Sequence, residues 1–184
     1  MPPPLPLSLA DLDPVRAAPA AVGSVELIVR RPTDDQREVL ELAELTRNQG
    51  LVGDSWVNRG SRHTPDGSSE LERQLTVMSA RAIALLEPDR SRWPLAGDQL
   101  FVDFDISDDN LPAGSRVAVG TAVIEVSAAP HTGCAKFSAR FGAEALRLVN
   151  SPEGRQLRLR GLNARVVVEG TVKPGDPVRK LEAP

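Results

Sequence analysis

Cys134 is the only cysteine among 184 residues, and it lies in the run His131-Thr132-Gly133-Cys134-Ala135-Lys136-Phe137. A strand-like segment precedes it, a helix-like segment follows, and Lys136 and Arg140 come within the next six positions. Positive charge and a helix N-terminus both favour the thiolate, which is the form that attacks sulfur donors and ligates soft metals. The competing reading is a buried cysteine acting as a small hydrophobe. His131 lies three positions away, but no residue nearby in the sequence orients it as a base, so a cysteine hydrolase is a poor reading. His131 and Cys134 alone also fall short of a closed zinc site.

A second group of candidates lies between Gly53 and Glu70, a stretch rich in Gly, Ser, Asp and Asn that reads as a long loop. Such loops more often carry function or mobility than not. This one holds Trp56, Arg59, Arg62 and His63, a mixture suited to an anionic ligand; the alternative is a solvated surface loop.

The elements that must position these residues follow from periodicity and punctuation. Residues 1–21 contain six prolines and read as an extended or disordered arm rather than a helix, leaving 22–184 as the folded domain. Val25, Leu27 and Val29 mark a buried strand. Thr33 and Gln36 form a capping-box signature, which predicts a helix with Val39, Leu42, Ala43 and Thr46 on one face, ended by Gly50. Gln74–Met78 reads as a strand, and Ser79 as the cap of a helix through Ala80–Leu86 that Pro88 stops. Gln99–Ile106 alternates as a half-buried strand does, and Gly120-Thr121 joins Arg116–Val119 to Ala122–Val126 as a hairpin. Ala143–Val149 reads as a helix ending at Asn150-Ser151-Pro152. Leu162–Val168, Gly170-Thr171 and Val178–Leu181 read as a hairpin-rich close. Many short strands with helices between them predict an α+β domain around a β-rich, barrel-like antiparallel sheet with a few peripheral helices.

Composition narrows the function classes. The net charge is −3, with 22 basic residues of which only Lys136, Lys173 and Lys180 are lysines, so there is no nucleic-acid footprint. A lone cysteine excludes an internal disulfide and any multi-cysteine zinc site. No run approaches the roughly 18 apolar residues of a membrane helix. The proline-rich start is not a secretory signal, and these features together point to a cytoplasmic protein without membrane partners. There is no G-x-G-x-x-G, P-loop or internal repeat.

The order of motifs resembles the MOSC domain, the module first named for the C-terminal part of molybdenum-cofactor sulfurases. Gly50-Leu51-Val52-Gly53-Asp54 is similar to its G-L-x-G-D element, and Arg73-Gln74-Leu75-Thr76-Val77 to its R-Q-V-T-L segment. Ala96-Gly97-Asp98-Gln99-Leu100 stands where the family commonly has A-G-E-N-L, an acid–amide pair of like chemistry. Leu111-Pro112-Ala113-Gly114, Cys134-Ala135-Lys136-Phe137, Arg160-Gly161-Leu162-Asn163-Ala164-Arg165-Val166 and Gly170–Val178 complete the series, over roughly residues 22–181. Pro130–Cys134 is longer than the family's plain P-C, which suggests a bacterial subgroup.

The resemblance implies that Cys134 ligates the metal of a molybdenum cofactor (molybdopterin), as in reduction of N-hydroxylated compounds, or carries sulfur to it. It further implies that the pterin phosphate is held by Lys136, Arg140, Arg160 and Arg165, with Arg59, Arg62 and His63 behind them. The chain is too short to include a pyridoxal-phosphate desulfurase domain, so no pyridoxal phosphate is expected on it. A separate cysteine desulfurase or an electron-transfer partner is required instead. The alternative from another class is a noncatalytic ligand-binding or thiol redox-sensing module.

Overall fold

A computed structural model describes residues 9–182. Seven strands close into a barrel: β1 (Val22–Arg30), β5 (Leu75–Ser79), β6 (Leu100–Asp103), β7 (Arg116–Val119), β8 (Ala122–Val126), β9 (Leu162–Val168) and β11 (Pro177–Lys180). Their order is β11-β7-β8-β9-β5-β6-β1, and a β11–β1 pairing closes the ring. A two-residue strand β2 (Glu38–Val39) extends β1. A separate three-stranded sheet is made by β10 (Gly170–Val172), β3 (Ala43–Thr46) and β4 (Gly50–Leu51).

Alternate residues of a strand face opposite ways, and β5 and β6 are buried on both faces, whereas β7 and β11 are buried on one. In β5 and β6, Leu75, Val77, Leu100 and Val102 join the core that also takes in Val117, Ile124 and Val126. Met78 and Phe101, between them in sequence, join a second core with Ile83, Trp93, Phe137, Phe141, Val149 and Leu159. That second core fastens helices to the outside of the barrel: α3 (Ala80–Leu86), α4 (Ala135–Phe141) and α5 (Ala143–Asn150). Shorter helices are α1 (Asp13–Arg16), α2 (Trp56–Arg59) and α6 (Pro152–Gln156).

The barrel is antiparallel as expected except at β5–β6, which are parallel. A parallel pair cannot be joined by a tight turn. The crossover consists of α3, whose Ser79 cap accepts from the Ala82 amide as expected, followed by a 3-10 helix over Arg90–Ala96. The end of that crossover organises the site described below.

Three expectations need correction. The helix expected from Val39 to Thr46 is two short strands. Apolar residues at 39, 40, 42, 43 and 45 satisfy both periods, and Ala43 and Leu45 are buried while Glu44 between them is exposed. Thr33 and Gln36 close a tight turn instead, with the Gln36 amide on the Thr33 carbonyl and Asp35 at φ 61°. The N-terminal arm is helical over residues 9–16: Leu9–Leu12 form a 3-10 turn and Asp13–Arg16 α1, with Leu12 and Val15 buried. Pro14 sits in the first turn, where its missing N–H is not needed; prolines 2, 3, 4 and 6 lie outside the described residues. The helix over Ala143–Asn150 ends at Ser151 as expected, and Ser151 in turn caps the short α6 through the Gly154 amide, with Pro152 in its first turn. Finally, β9, β10 and β11 do not pair with one another; each joins different strands.

Candidate functional site

The segment carrying Cys134 runs from β8 to α4 and is pinned along its length. The Asn163 side chain donates to the Ala129 carbonyl at 3.1 Å. Asn150 clamps Gly133 from both sides, its Oδ1 accepting from the Gly133 amide at 2.9 Å and its Nδ2 donating to the carbonyl at 3.2 Å. A Cβ there would stand 2.7 Å from Leu146 Cδ1 and 2.9 Å from Val149 Cγ2, so a larger residue would force those side chains to shift. Phe137 and Phe141, one turn apart on α4 with ring centroids 4.8 Å apart, anchor the helix in the outer core. Cys134 is thereby held at the start of α4 with its thiol exposed, so it is not a core residue.

Cys134 opens on a cleft of about 400 Å3 bordered by Arg31, Arg37, Arg59, Lys136, Arg140 and Arg160, against the exposed acids Asp34 and Asp35. Four of the arginines converge on consecutive backbone carbonyls at the end of the β5–β6 crossover. Arg37 Nε donates to Pro94 O (3.2 Å), Arg140 Nη1 to Leu95 O (2.8 Å), Arg160 Nη2 to Ala96 O (2.9 Å) and Arg31 Nη1 to Gly97 O (2.8 Å). The last carbonyls of a helix lack internal partners and carry the negative end of its dipole, which suits them to hold cations. Gly97 at φ 86° ends the turn, and its missing side chain leaves room beside Arg37 Nη2 and Arg140 Nη1.

Two aspartates, each after a glycine, set the remaining geometry. Asp54 is buried and takes Arg31 bidentately, Nε at 2.9 Å and Nη2 at 2.8 Å, as well as the Arg31 amide. Asp98 is fully buried and takes Arg160 Nη1 on one oxygen and His131 Nε2 on the other, the latter at 2.9 Å. Burial alone would discourage ionisation of Asp98, but Arg160 and then His131 hold its carboxyl below the usual range. Burial, reinforced by Arg160, pushes the His131 imidazole below its ordinary value, so the ring is neutral near pH 7. Arg160 is also stacked over Phe137, its guanidinium carbon 4.9 Å from the ring centroid. The absence of an orienting group for His131 in the sequence is thus corrected: Asp98, 33 residues earlier, supplies it.

Arg37 and Arg59 donate to backbone carbonyls and to Ser55 Oγ respectively, and neither forms an ion pair with a carboxylate among the described residues. Burial, followed by the neighbouring charges of Arg140 and Arg31, lowers the Arg37 pKa from its ordinary value. The cleft therefore holds more positive charge than its own acids neutralise, and an anion is the ligand that relieves it.

Of the residues singled out in the sequence, Cys134, Lys136, Arg140, Arg160 and Arg59 meet in this cleft. Arg62 and His63 stay exposed on the turn after α2 and do not border it. Arg165 lies elsewhere: it is exposed on β9 and pairs with Glu125 at 2.7 Å. Sequence reasoning missed Arg31 and Arg37, which carry no motif, and the structural part played by Asp98. No group of three or more potential metal ligands of the His, Cys, Asp and Glu kind occurs among the described residues, and none of their helices is long and apolar enough to cross a membrane.

The family model of the MOSC domain matches residues 66–179, more than half of the chain. No curated protein sequence matches it significantly. Among solved structures, it is similar to the YuaD protein from Bacillus subtilis, with a TM-score of 0.60 and 17% identity over 88% of this chain and 97% of that one. It is also similar to YiiM from Escherichia coli, with a TM-score of 0.57 and 18% identity over 88% of this chain and 71% of that one. YiiM from Geobacillus stearothermophilus gives a TM-score of 0.53 at 14% identity over 89% of this chain and 74% of that one. At these identities the likeness is one of fold.

Proposed function

The chain belongs to the MOSC domain family, and on that premise we propose that it binds a molybdenum cofactor in the arginine cleft, with Cys134 as the metal's protein ligand. The observation that carries this reading is the donor set. An exposed soft thiol shares one cleft with six cations, of which Arg37 and Arg59 have no carboxylate partner among the described residues. A thiolate suits molybdenum, and guanidinium groups suit the phosphate of a pterin. When bound, such a cofactor supplies two-electron redox chemistry, here reduction of N-hydroxylated compounds.

Each residue's part follows from its fixation. Arg31 and Arg160 are locked by buried aspartates and shape the floor of the cleft. Arg37, Arg59 and Lys136 are the cations left to meet phosphate oxygens. Asn150 and Gly133 hold the backbone that presents the Cys134 thiol. The protein draws electrons from a separate partner.

The sulfur-carrier role is the second function the family implies, and one experiment separates the two. Purified protein is incubated with a cysteine desulfurase and cysteine, then weighed intact. The ligand reading expects no stable gain of a sulfur atom on Cys134. A reductant-reversible gain of one sulfur at that residue would replace it with the carrier reading, since no second thiol in the chain can resolve a persulfide internally.

A further inference from the structure

The cationic cleft carries its own anions. Of its six cations, Arg31 and Arg160 are matched by the buried Asp54 and Asp98. Among the residues bordering the cleft, that leaves Arg37, Arg59, Lys136 and Arg140 against Asp34 and Asp35 alone. Both acids belong to the turn between β1 and β2.

That turn is fastened at its two ends and hardly between them. At one end Arg31 is buried and held by Asp54 and the Gly97 carbonyl. At the other, Arg37 Nε reaches the Pro94 carbonyl, and β2 pairs with β1 at Val39 and Glu38. Residues 33–36 are all exposed, so no side chain of the tip is packed in a core. Their hydrogen bonds stay local. The Gln36 amide donates to the Thr33 carbonyl, the Thr33 hydroxyl to the Asp34 carbonyl, and Arg37 Nη1 to the Gln36 carbonyl. Among the described residues, the one bond from the tip to the rest of the molecule is Arg140 Nη2 to Asp35 Oδ1, at 3.0 Å. The Asp35 side chain is 76% exposed, and an ion pair so exposed favours the closed arrangement by a factor of about five at most. Segments held by so few buried contacts open at little cost.

The acids face the arginines an anionic ligand would use. Burial and then Arg31 lower the Arg59 pKa, and Asp54 and then Asp34 oppose them. At Arg37, burial, Arg140 and Arg31 act downward, and Asp35 opposes them. A phosphate brought to these arginines therefore meets two carboxylates of its own sign.

We propose that the tip 33–36 is a self-inhibiting strap, whose carboxylates occupy the cleft in place of a ligand and swing out when an anion binds. Closed, it offsets two of the four unmatched charges. Open, it leaves all four to the ligand and frees Arg140 to join Arg37, Arg59 and Lys136. Apparent affinity falls with the fraction of molecules that are open, so the strap sets how strong an anion must be to enter. The proposal rests on the cleft being the anion site argued above, and not on the metal.

The test pairs isothermal titration with pyrophosphate and electron paramagnetic resonance of the tip. Asp34→Asn with Asp35→Asn removes the charge and keeps the shape, since asparagine tolerates the φ of 61° at position 35 as aspartate does. This double variant should bind pyrophosphate about fivefold more tightly than the parent at low salt, with the gain shrinking as salt screens the charges. For mobility, a nitroxide is placed on Gln36→Cys in Cys134→Ser protein, where it marks the only thiol. Its spectrum should narrow as pyrophosphate saturates the cleft, and should be narrow from the start when both aspartates are asparagine. Equal affinities in parent and double variant overturn the strap. So does tighter binding with a spectrum that pyrophosphate leaves unmoved, which makes the acids fixed counter-charges. Pyrophosphate bound by neither protein removes the anion site itself, and the strap with it.

Discussion

Replacing Asp98 by Asn tests whether one buried carboxylate organises the centre of this molecule. The side chain is fully buried and accepts from Arg160 and His131 at once. Asparagine keeps the shape but removes the charge, leaving Arg160 as a buried cation without its counterion. Removing one partner of a buried ion pair costs about 3–5 kcal/mol. For a chain of this length, that corresponds to a fall in melting temperature on the order of 10 °C. Glu125→Gln is the control, because Glu125 pairs with the half-exposed Arg116 and Arg165 on the barrel's outer surface, and such pairs are worth about 1 kcal/mol or less. The assay is thermal unfolding of both variants against the parent across pH. Asp98 has a folded-state pKa below its ordinary 3.8. Its contribution is therefore complete above that value and is lost as pH falls further, through the folded value. The gap between parent and Asp98→Asn should be constant near neutrality and close in strong acid. A variant that melts within a degree or two of the parent near pH 7 would refute the reasoning.

Three further outcomes follow from the same geometry. His131 is held neutral with its pKa below the usual 6.5, so the unfolded chain takes up its proton first and stability falls as pH drops from about that value toward the folded one; His131→Gln should flatten this slope, and an unchanged slope in the variant contradicts it. Arg37→Ala and Arg59→Ala should each weaken pyrophosphate binding by about 1.5–3 kcal/mol, the worth of a charge-assisted hydrogen bond, while Arg165→Ala leaves it unaltered in isothermal titration; equal effects of all three would dissolve the cleft assignment. Gly133→Ala should cost about 1–3 kcal/mol through its clash with Leu146 and Val149, and chemical denaturation showing no loss would count against the seating of the cysteine segment.

The sequence announces those features that are settled within a few residues. Ser79 caps α3 because its hydroxyl reaches an amide three positions on, and Gly120-Thr121 turns a hairpin because Gly120 takes φ 58°. The stretch from Val39 to Thr46 was ambiguous because its apolar residues fit two periods, and the choice fell to pairing with β10, some 125 residues later. The cleft was half legible for a related reason. Cys134, Lys136 and Arg140 sit together in sequence, but Arg37 reaches the site through the Pro94 carbonyl, which leaves no mark on side-chain identity, and Arg31 through the Gly97 carbonyl and Asp54, 23 residues later. Arg165 shows the converse. It shares a motif with Arg160, yet it alternates with buried Ala164 and Val166 on β9 and so faces outward, which the period-two pattern alone could have indicated.

The central claim is that Cys134 ligates a cofactor metal in the arginine cleft. The most direct measurement is the molybdenum and pterin content of the protein isolated from cofactor-producing cells, parent beside Cys134→Ser. Oxygen is a harder and weaker ligand than sulfur for this metal. The parent should carry both metal and pterin near one per chain. The serine variant, melting like the parent because Cys134 is exposed, should lose the metal. A parent without molybdenum under these conditions, or a serine variant that retains it in full, would contradict the account.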